Sequence, residues 1–375
     1  MSIRPLRVLH LIEDLDVGGA ERLVADLVLH PPAASRAAVA CLRHRGRLGS
    51  TVARRGVPVW SLEKQGGIDI GALRRLIRLV RRERPDLIHA HVFTANLWGR
   101  LAGAFTGVPV VTTEHSTFFL ERRGGVWLER ALAPWTAARI VVSEDLGRAV
   151  RRKLGPRAAA HTRVVHNGIP AARFEMLEHR TGQRARIRRA LGFGDGDVVV
   201  GTVSRIEPRK DHHGLLAGFA RAVSESPELA LVIVGDGPER GRLEDEARRR
   251  DLCSRVRFLG HRASVWRLLG AFDVFVLPSR TEGISLALLE AMGAGLACVA
   301  TAVGGNPEVL AEDTGVLVPF GEPAALARVL VDLARQPGKR QRLGKRGRGR
   351  ARRCFSQERM FRDIHALHRR VVSER

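Results

Sequence analysis

Two successive series of short apolar runs and amphipathic segments set the fold class of this chain. In the first series, strand patterns fall at residues 8–12, 37–42, 57–62, 87–90, 108–113, 140–143 and 164–167. Helical periodicity separates them at 21–29, 70–82, 96–104 and 127–137. The second series places strands at 198–203, 230–234, 256–259, 274–278 and 298–301, with helices at 215–224, 239–250, 265–271, 285–293, 306–311 and 324–335. Alternation of this kind implies parallel sheets with helices on both faces. One core stops growing near ~250–300 residues, so 375 residues with two series imply an α/β chain of two doubly wound, Rossmann-like domains facing a cleft. The basic helical stretch 173–191 and the Gly/Asp-rich turn 192–197 mark the change, with domains expected at 1–175 and 176–355. The tail, 356–375, is helical and basic.

Composition narrows the partners. Apolar residues make up 45%, enough for two cores, and no run reaches the ~18 apolar residues that span a bilayer. The first residues lack the basic start and apolar run of a secretory leader, so the expected location is cytoplasmic. Cys41, Cys253, Cys298 and Cys354 form no CxxC pair and are read as reduced thiols, not a metal or redox site. The formal charge is +24, nearly all from arginine, with only five lysines. Arginine is scattered over most helical segments, which favours a bias of composition over a dedicated patch. Tyrosine is absent and aromatics total 5%, so platforms for stacking single-stranded nucleic acid are scarce. Peripheral contact with an anionic membrane stays open.

In doubly wound sheets, ligands bind beyond the carboxyl ends of the strands. Four such loops carry candidate chemistry. The first strand runs into Asp14-Leu15-Asp16-Val17-Gly18-Gly19-Ala20-Glu21, where Gly18 and Gly19 allow close backbone approach ahead of a helix N-terminus. It is neither a GxGxxG nor a Walker loop, and a plain turn reads equally well. Residues 201–211 present Arg205 and Lys210 across a proline-containing loop, a fork and a point charge suited to phosphate oxygens. Gly235-Asp236-Gly237-Pro238 is a strand–turn–helix junction that serves a ligand or the turn itself.

The fourth loop is the most informative. In Glu282-Gly283-Ile284-Ser285-Leu286-Ala287-Leu288-Leu289-Glu290, Glu282 precedes a helix and Glu290 lies about one and a half turns inside it. A carboxylate among such apolar residues needs donors, and sugar or ribose hydroxyls are suitable ones. The N–H groups of Gly283, Ile284 and Ser285 open the helix and can hold a phosphate.

The Glu282-x7-Glu290 segment resembles the signature of retaining glycosyltransferases of family 4, which have the GT-B fold. Gly18-Gly19-Ala20-Glu21-Arg22, Thr113-Glu114-His115, Asn167-Gly168-Ile169, Arg205 with Lys210, and Gly235-Asp236-Gly237-Pro238 follow in the same order over nearly the whole chain. The resemblance implies transfer of a hexose from a nucleotide diphosphate sugar (UDP- or GDP-linked) to a glycan, lipid-linked or small-molecule acceptor, in polysaccharide or glycolipid synthesis. It assigns Arg205 and Lys210 to the leaving diphosphate, Glu290 to the ribose and Glu282 to the donor sugar. Gly19 would approach the phosphates, His115 the reacting carbon, and the backbone around Gly260, His261 and Arg262 the base. The last helix, 356–375, would pack back on the first domain. No cofactor and no metal are implied, and no DxD motif is present.

A same-face substitution, with the leaving phosphate helping to deprotonate the acceptor, fits the lack of an evident nucleophile. His91 and Asn96 are candidate acceptor-side residues. His89 and His91 are expected on opposite faces of their strand by alternation, which disfavours a shared metal. His212-His213 stand where the family often has glycine. Residues 116–126, with Phe118, Phe119, Arg122 and Arg123, suit lipid contact at the inner face of the membrane. The competing readings are a sugar-nucleotide epimerase or sugar phosphorylase of the same fold, and a non-catalytic basic scaffold; no nucleic acid is expected.

Overall fold

The computed structural model of the chain describes residues 4–16, 18–170, 173–174 and 181–374. It comprises two compact units, Met1–His166 with Met360–Arg375, and Asn167–Arg359.

The first unit is built on seven strands: β1 Leu6–Ile12, β2 Ser35–Cys41, β3 Val59–Ser61, β4 Leu87–His91, β5 Val110–Glu114, β6 Ala138–Val141 and β7 Thr162–Val164. They pair in parallel in the order β3-β2-β1-β4-β5-β6-β7. The second unit has β8 Val198–Val203, β9 Leu229–Val234, β10 Val256–Gly260, β11 Val274–Leu277, β12 Ala297–Thr301 and β13 Val316–Val318, in the order β10-β9-β8-β11-β12-β13. These strands are covered on both faces, which is why they read as continuous apolar runs. In β9, Leu229, Leu231 and Ile233 enter one core, and Ala230, Val232 and Val234 enter the other. Strand order reverses at β1/β4 and at β8/β11. Those switch points are where a doubly wound sheet leaves room for a ligand.

The sequence reading misses several elements, among them two longer helices and one strand. Glu144–Leu154 carries a complete set of end signals: Ser143 caps the Leu146 N–H at 3.1 Å, Glu144 and Asp145 begin the helix, basic residues finish it, and Gly155 follows. Helix Gly46–Arg54 and strand β13 are the others. The helix expected over 173–191 is described as Thr181–Ala190; residues 175–180 lie outside the described residues. The chain beyond residue 335 forms two helices, Pro337–Cys354 and Gln357–Ser373, and the unit division falls at Met360.

Arginine is more than a composition bias here. Arg100 forks onto Glu129 through two bonds of 2.8 and 2.6 Å, and Arg139 adds a third at 2.6 Å. All three side chains are buried inside the first unit. A lysine offers no such fork. In the second unit, Arg184 and Arg188 both bind Asp273.

Candidate active site

The site in the second unit grows from loops at the carboxyl ends of β8, β9, β11 and β12. After β8 the chain turns through a short 3-10 helix, Pro208–Lys210. Asp211 then takes φ +46° and caps helix His212–Glu225 through the Gly214 N–H at 3.2 Å. His212 points inward and bonds Ser204 Oγ through Nε2 at 3.0 Å. Burial, helped by the charges of Lys210 and His213, brings its pKa down to about 4, so it stays neutral. The glycine-to-histidine departure therefore puts a neutral, buried ring under the loop.

The β8 and β9 loops are zipped together by backbone. The Ile206 N–H donates to the Asp236 carbonyl at 2.9 Å, and the Glu239 N–H donates to the Ile206 carbonyl at 3.3 Å. A Cβ on Gly235 would lie 1.8 Å from the Ser204 carbonyl oxygen, and one on Gly237 would lie 2.1 Å from that of Ile206. Both glycines are thus required by loop packing, whatever else they do. Gly235 also donates to the Gly260 carbonyl at 3.0 Å, which fixes the turn bearing the exposed His261 and Arg262.

Across the β8/β11 switch point, Lys210 Nζ bonds Glu282 Oε1 at 2.5 Å. Ser279 Oγ donates to the same oxygen at 2.6 Å. Lys210 is 13% exposed and Glu282 8%, so the pair is largely out of water. Neither bond uses Glu282 Oε2, which stays available to a hydroxyl. Ser285 then caps helix Leu286–Gly293 through the Leu288 N–H. Among the described residues, the N–H groups of Gly283, Ile284 and Ser285 make no hydrogen bond. Glu290 is buried, at 5% exposure, one turn further in. Arg205, by contrast, is 72% exposed and sits 3.8 Å from Glu207.

Residues from other segments hold this loop in place, and the sequence reading singled out only Asn167 among them. A Cβ on Gly304 would meet the Glu282 carbonyl oxygen at 1.9 Å, and one on Gly305 would meet that of Gly283 at 2.2 Å. The Gly305 N–H bonds that same Gly283 oxygen at 3.0 Å. Thr301 Oγ1 donates to the Ser279 carbonyl at 2.6 Å. Asn167, from the Asn-Gly-Ile motif, donates to the Ile284 carbonyl at 2.9 Å. The signal for Gly304 and Gly305 was a paired glycine set off from a strand by two residues.

In the first unit, Gly18 is the N-cap and Gly19 the first residue of helix Gly19–Leu29. The Glu21 side chain folds back over Gly18, where a Cβ would meet Oε2 at 2.0 Å. Burial raises the Glu21 pKa, with Asp14 and Asp16 adding to the effect. His115 follows β5; burial lowers its pKa to about 4, and its Nε2 has no partner among the described residues. Asn96 is fully buried and donates to Glu114 Oε1 at 2.6 Å and to the Thr113 carbonyl at 3.2 Å.

One expectation needs correction. His89 and His91 share a face of β4, because residues two apart on a strand point the same way. Their ring centroids are 4.1 Å apart. His91 Nε2 bonds His10 Nδ1 at 3.1 Å, inside the unit. Within 116–126, Phe119 turns into the core, while Phe118 is exposed with Arg122 5.5 Å over its ring.

Two doubly wound parallel sheets, one with a fixed cation–carboxylate pair at its switch point, define a glycosyltransferase of GT-B type. Residues 17–173 match the profile described as Glycosyltransferase Family 4, and residues 183–350 that described as Glycosyl transferases group 1. EpsF of Bacillus subtilis (strain 168), which carries a provisional glycosyltransferase name, is 30% identical over 317 residues, covering 80% of each chain. A UDP-Gal:alpha-D-GlcNAc-diphosphoundecaprenol alpha-1,3-galactosyltransferase of Escherichia coli is 32% identical over 64% of this chain and 63% of its own. The crystal structure of Anabaena HepE with UDP-glucose superposes with TM-score 0.85 over 96% of this chain and 99% of that one, at 24% identity. The chain belongs to the family 4 glycosyltransferases and is a hexosyltransferase. Among the described residues, no helix is long and apolar enough to cross a membrane.

Proposed function

We propose that the chain transfers a hexose from a UDP-sugar to a lipid-linked glycan acceptor, with retention at the anomeric carbon. The reaction would serve cell-surface polysaccharide or glycolipid synthesis. The observation that carries this reading is the arrangement at the β8/β11 switch point. Lys210 is held at 2.5 Å from Glu282, beside three unbonded N–H groups and the buried Glu290. Breaking the bond from anomeric carbon to phosphate leaves negative charge on the diphosphate. Lys210 and the helix start are suited to stabilise that charge without reorganising, and the exposed Arg205 would turn toward it. Glu282 Oε2 would take a sugar hydroxyl, Glu290 the ribose, and the uncharged His115 a substrate hydroxyl through Nε2. The donor site would use no metal ion, because its positive charge is supplied by side chains. The uridine nucleotide is favoured by the UDP-galactose named for the E. coli relative and by the UDP-glucose bound to HepE.

A lipid-linked acceptor is supported by the same relative, named for a diphosphoundecaprenol substrate. Trp127, 79% exposed, and Phe118 stand out on the first unit among basic residues, a composition suited to the cytoplasmic face of an anionic membrane. Sedimentation with vesicles should rise with their anionic lipid content; equal sedimentation with neutral vesicles would remove the electrostatic part.

The direct test is slow hydrolysis of a panel of sugar nucleotides without acceptor, in the presence of chelator. UDP-hexoses should be cleaved and GDP-sugars should not; with an acceptor added, the α configuration should be kept in the product. Loss of cleavage on adding chelator would refute the metal-free donor site. Inertness toward every donor, with no thermal stabilisation by UDP or GDP, would leave the scaffold reading standing.

A further inference from the structure

The central strands of the first unit carry a histidine cluster that donor chemistry does not use. β1 and β4 pair with His10 opposite His89, and His91 lies two residues further along the same face. The rings of His10 and His91 are nearly parallel, 16° apart, and His10 lies 5.2 Å from His89 between ring centroids. One nitrogen from each of the three lies within 4.8 Å of the other two. All three rings are buried.

Apolar side chains would fill this position at lower cost, because buried polar nitrogens need partners. The available partners are mostly other imidazoles. His10 Nδ1 and His91 Nε2 stand 3.1 Å apart, close to the ~3.3 Å edge of a tetrahedron whose metal–nitrogen bonds are ~2.0 Å. His89 Nε2 is held by Thr113 Oγ1 at 2.7 Å. That contact matches the outer hydrogen bond that orients a metal-bound imidazole, and it leaves Nδ1 as the nitrogen that faces the other rings. His368, from the last helix of this unit, places Nε2 3.0 Å from that Nδ1. His368 is itself fully buried, and its Nδ1 has no partner among the described residues. Burial keeps all four rings uncharged, the form that coordinates metals.

We propose that His10, His89 and His91 bind one zinc-class divalent cation, with His368 positioned beside His89 to complete four-coordination. An all-imidazole set selects against Mg²⁺ and Ca²⁺, which need oxygen ligands. The ion would tie β1, β4 and the last helix of the unit together at its switch point. The assignment does not depend on the reading given above.

The test uses the untagged full chain, stripped with chelator and titrated with Zn²⁺ by calorimetry, with metal content measured in parallel. One ion per chain should bind, and Co²⁺ should give the visible band of a tetrahedral site. His10→Asn and His91→Asn should each weaken binding by about 100-fold or more, and Thr113→Val by about 10- to 100-fold. His161→Ala, at an exposed position, should bind as wild type does. Should a variant fail to fold, the wild-type stoichiometry and the Co²⁺ spectrum decide. No uptake by wild type, an octahedral Co²⁺ spectrum, or unchanged affinity in folded His10→Asn protein would overturn the site.

Discussion

Glu129→Gln should unfold the first unit well below the wild-type midpoint. The carboxylate is buried between Arg100 and Arg139, and it accepts three bonds from them at 2.6–2.8 Å. Replacing it leaves two buried guanidinium groups facing a neutral amide. Breaking a buried pair costs about 3–5 kcal/mol because a charge is left uncompensated. For a unit of this size, that is a fall of roughly 6–20 °C in calorimetry. A shift below about 2 °C would show that water or another group already satisfies the arginines.

Glu114 belongs to the same cluster, and its pH dependence has a definite sign. Burial raises its pKa well above the ordinary 4.5, the nearby Glu129 charge adds to this, and the arginines offset part of it. The folded state therefore keeps a proton that the unfolded state releases. Stability falls as pH rises above about 4.5, by at most about 1.4 kcal/mol per unit, until the buried carboxyl ionises. Glu114→Gln should remove that slope in denaturant titrations run at pH 5 and pH 8. An unchanged slope would assign it elsewhere.

Lys210→Ala should lower donor cleavage by about 10²–10³-fold, the typical effect of deleting one group aimed at developing negative charge. Lys210 is held in place before substrate arrives, by Glu282 at 2.5 Å and by the capped turn at Asp211. The substitution also leaves Glu282 with Ser279 alone among its bonded partners. Turnover should therefore suffer more than nucleotide affinity, and Lys210→Arg should recover part of it. A loss under tenfold would move the catalytic cation elsewhere, with Arg205 the next candidate.

The two-sheet architecture was legible because both series of strands are buried on both faces, and so read as apolar runs of fixed spacing. Helix Glu144–Leu154 went unread although Ser143, Glu144, Asp145 and Gly155 announce its ends. Its mean hydropathy is low, because charged residues outnumber apolar ones along it. The Glu282–Glu290 segment was legible because two carboxylates flank a run of small and apolar residues. What lay beyond the sequence was the pairing of Glu282 with Lys210, 72 residues away, and the bracing by Gly304 and Gly305. Those contacts exist only once β8, β11 and β12 lie side by side. The histidine cluster was missed for a different reason: His89 and His91 are two apart and share a face, and His10 and His368 join them only through the fold.

The central claim is that the helix beginning at Leu286 is the nucleotide-binding element and that Glu290 holds the ribose. Calorimetric titration with UDP tests it most directly, on wild type, Glu290→Ala and Glu282→Ala. Wild type should bind UDP. Glu290→Ala should bind it about 10- to 100-fold more weakly, the worth of hydrogen bonds to a charged group. Glu282→Ala should keep UDP affinity within about threefold, because its free oxygen is assigned to the sugar that UDP lacks. Wild-type affinity in Glu290→Ala, or an equal loss in both variants, would contradict the account.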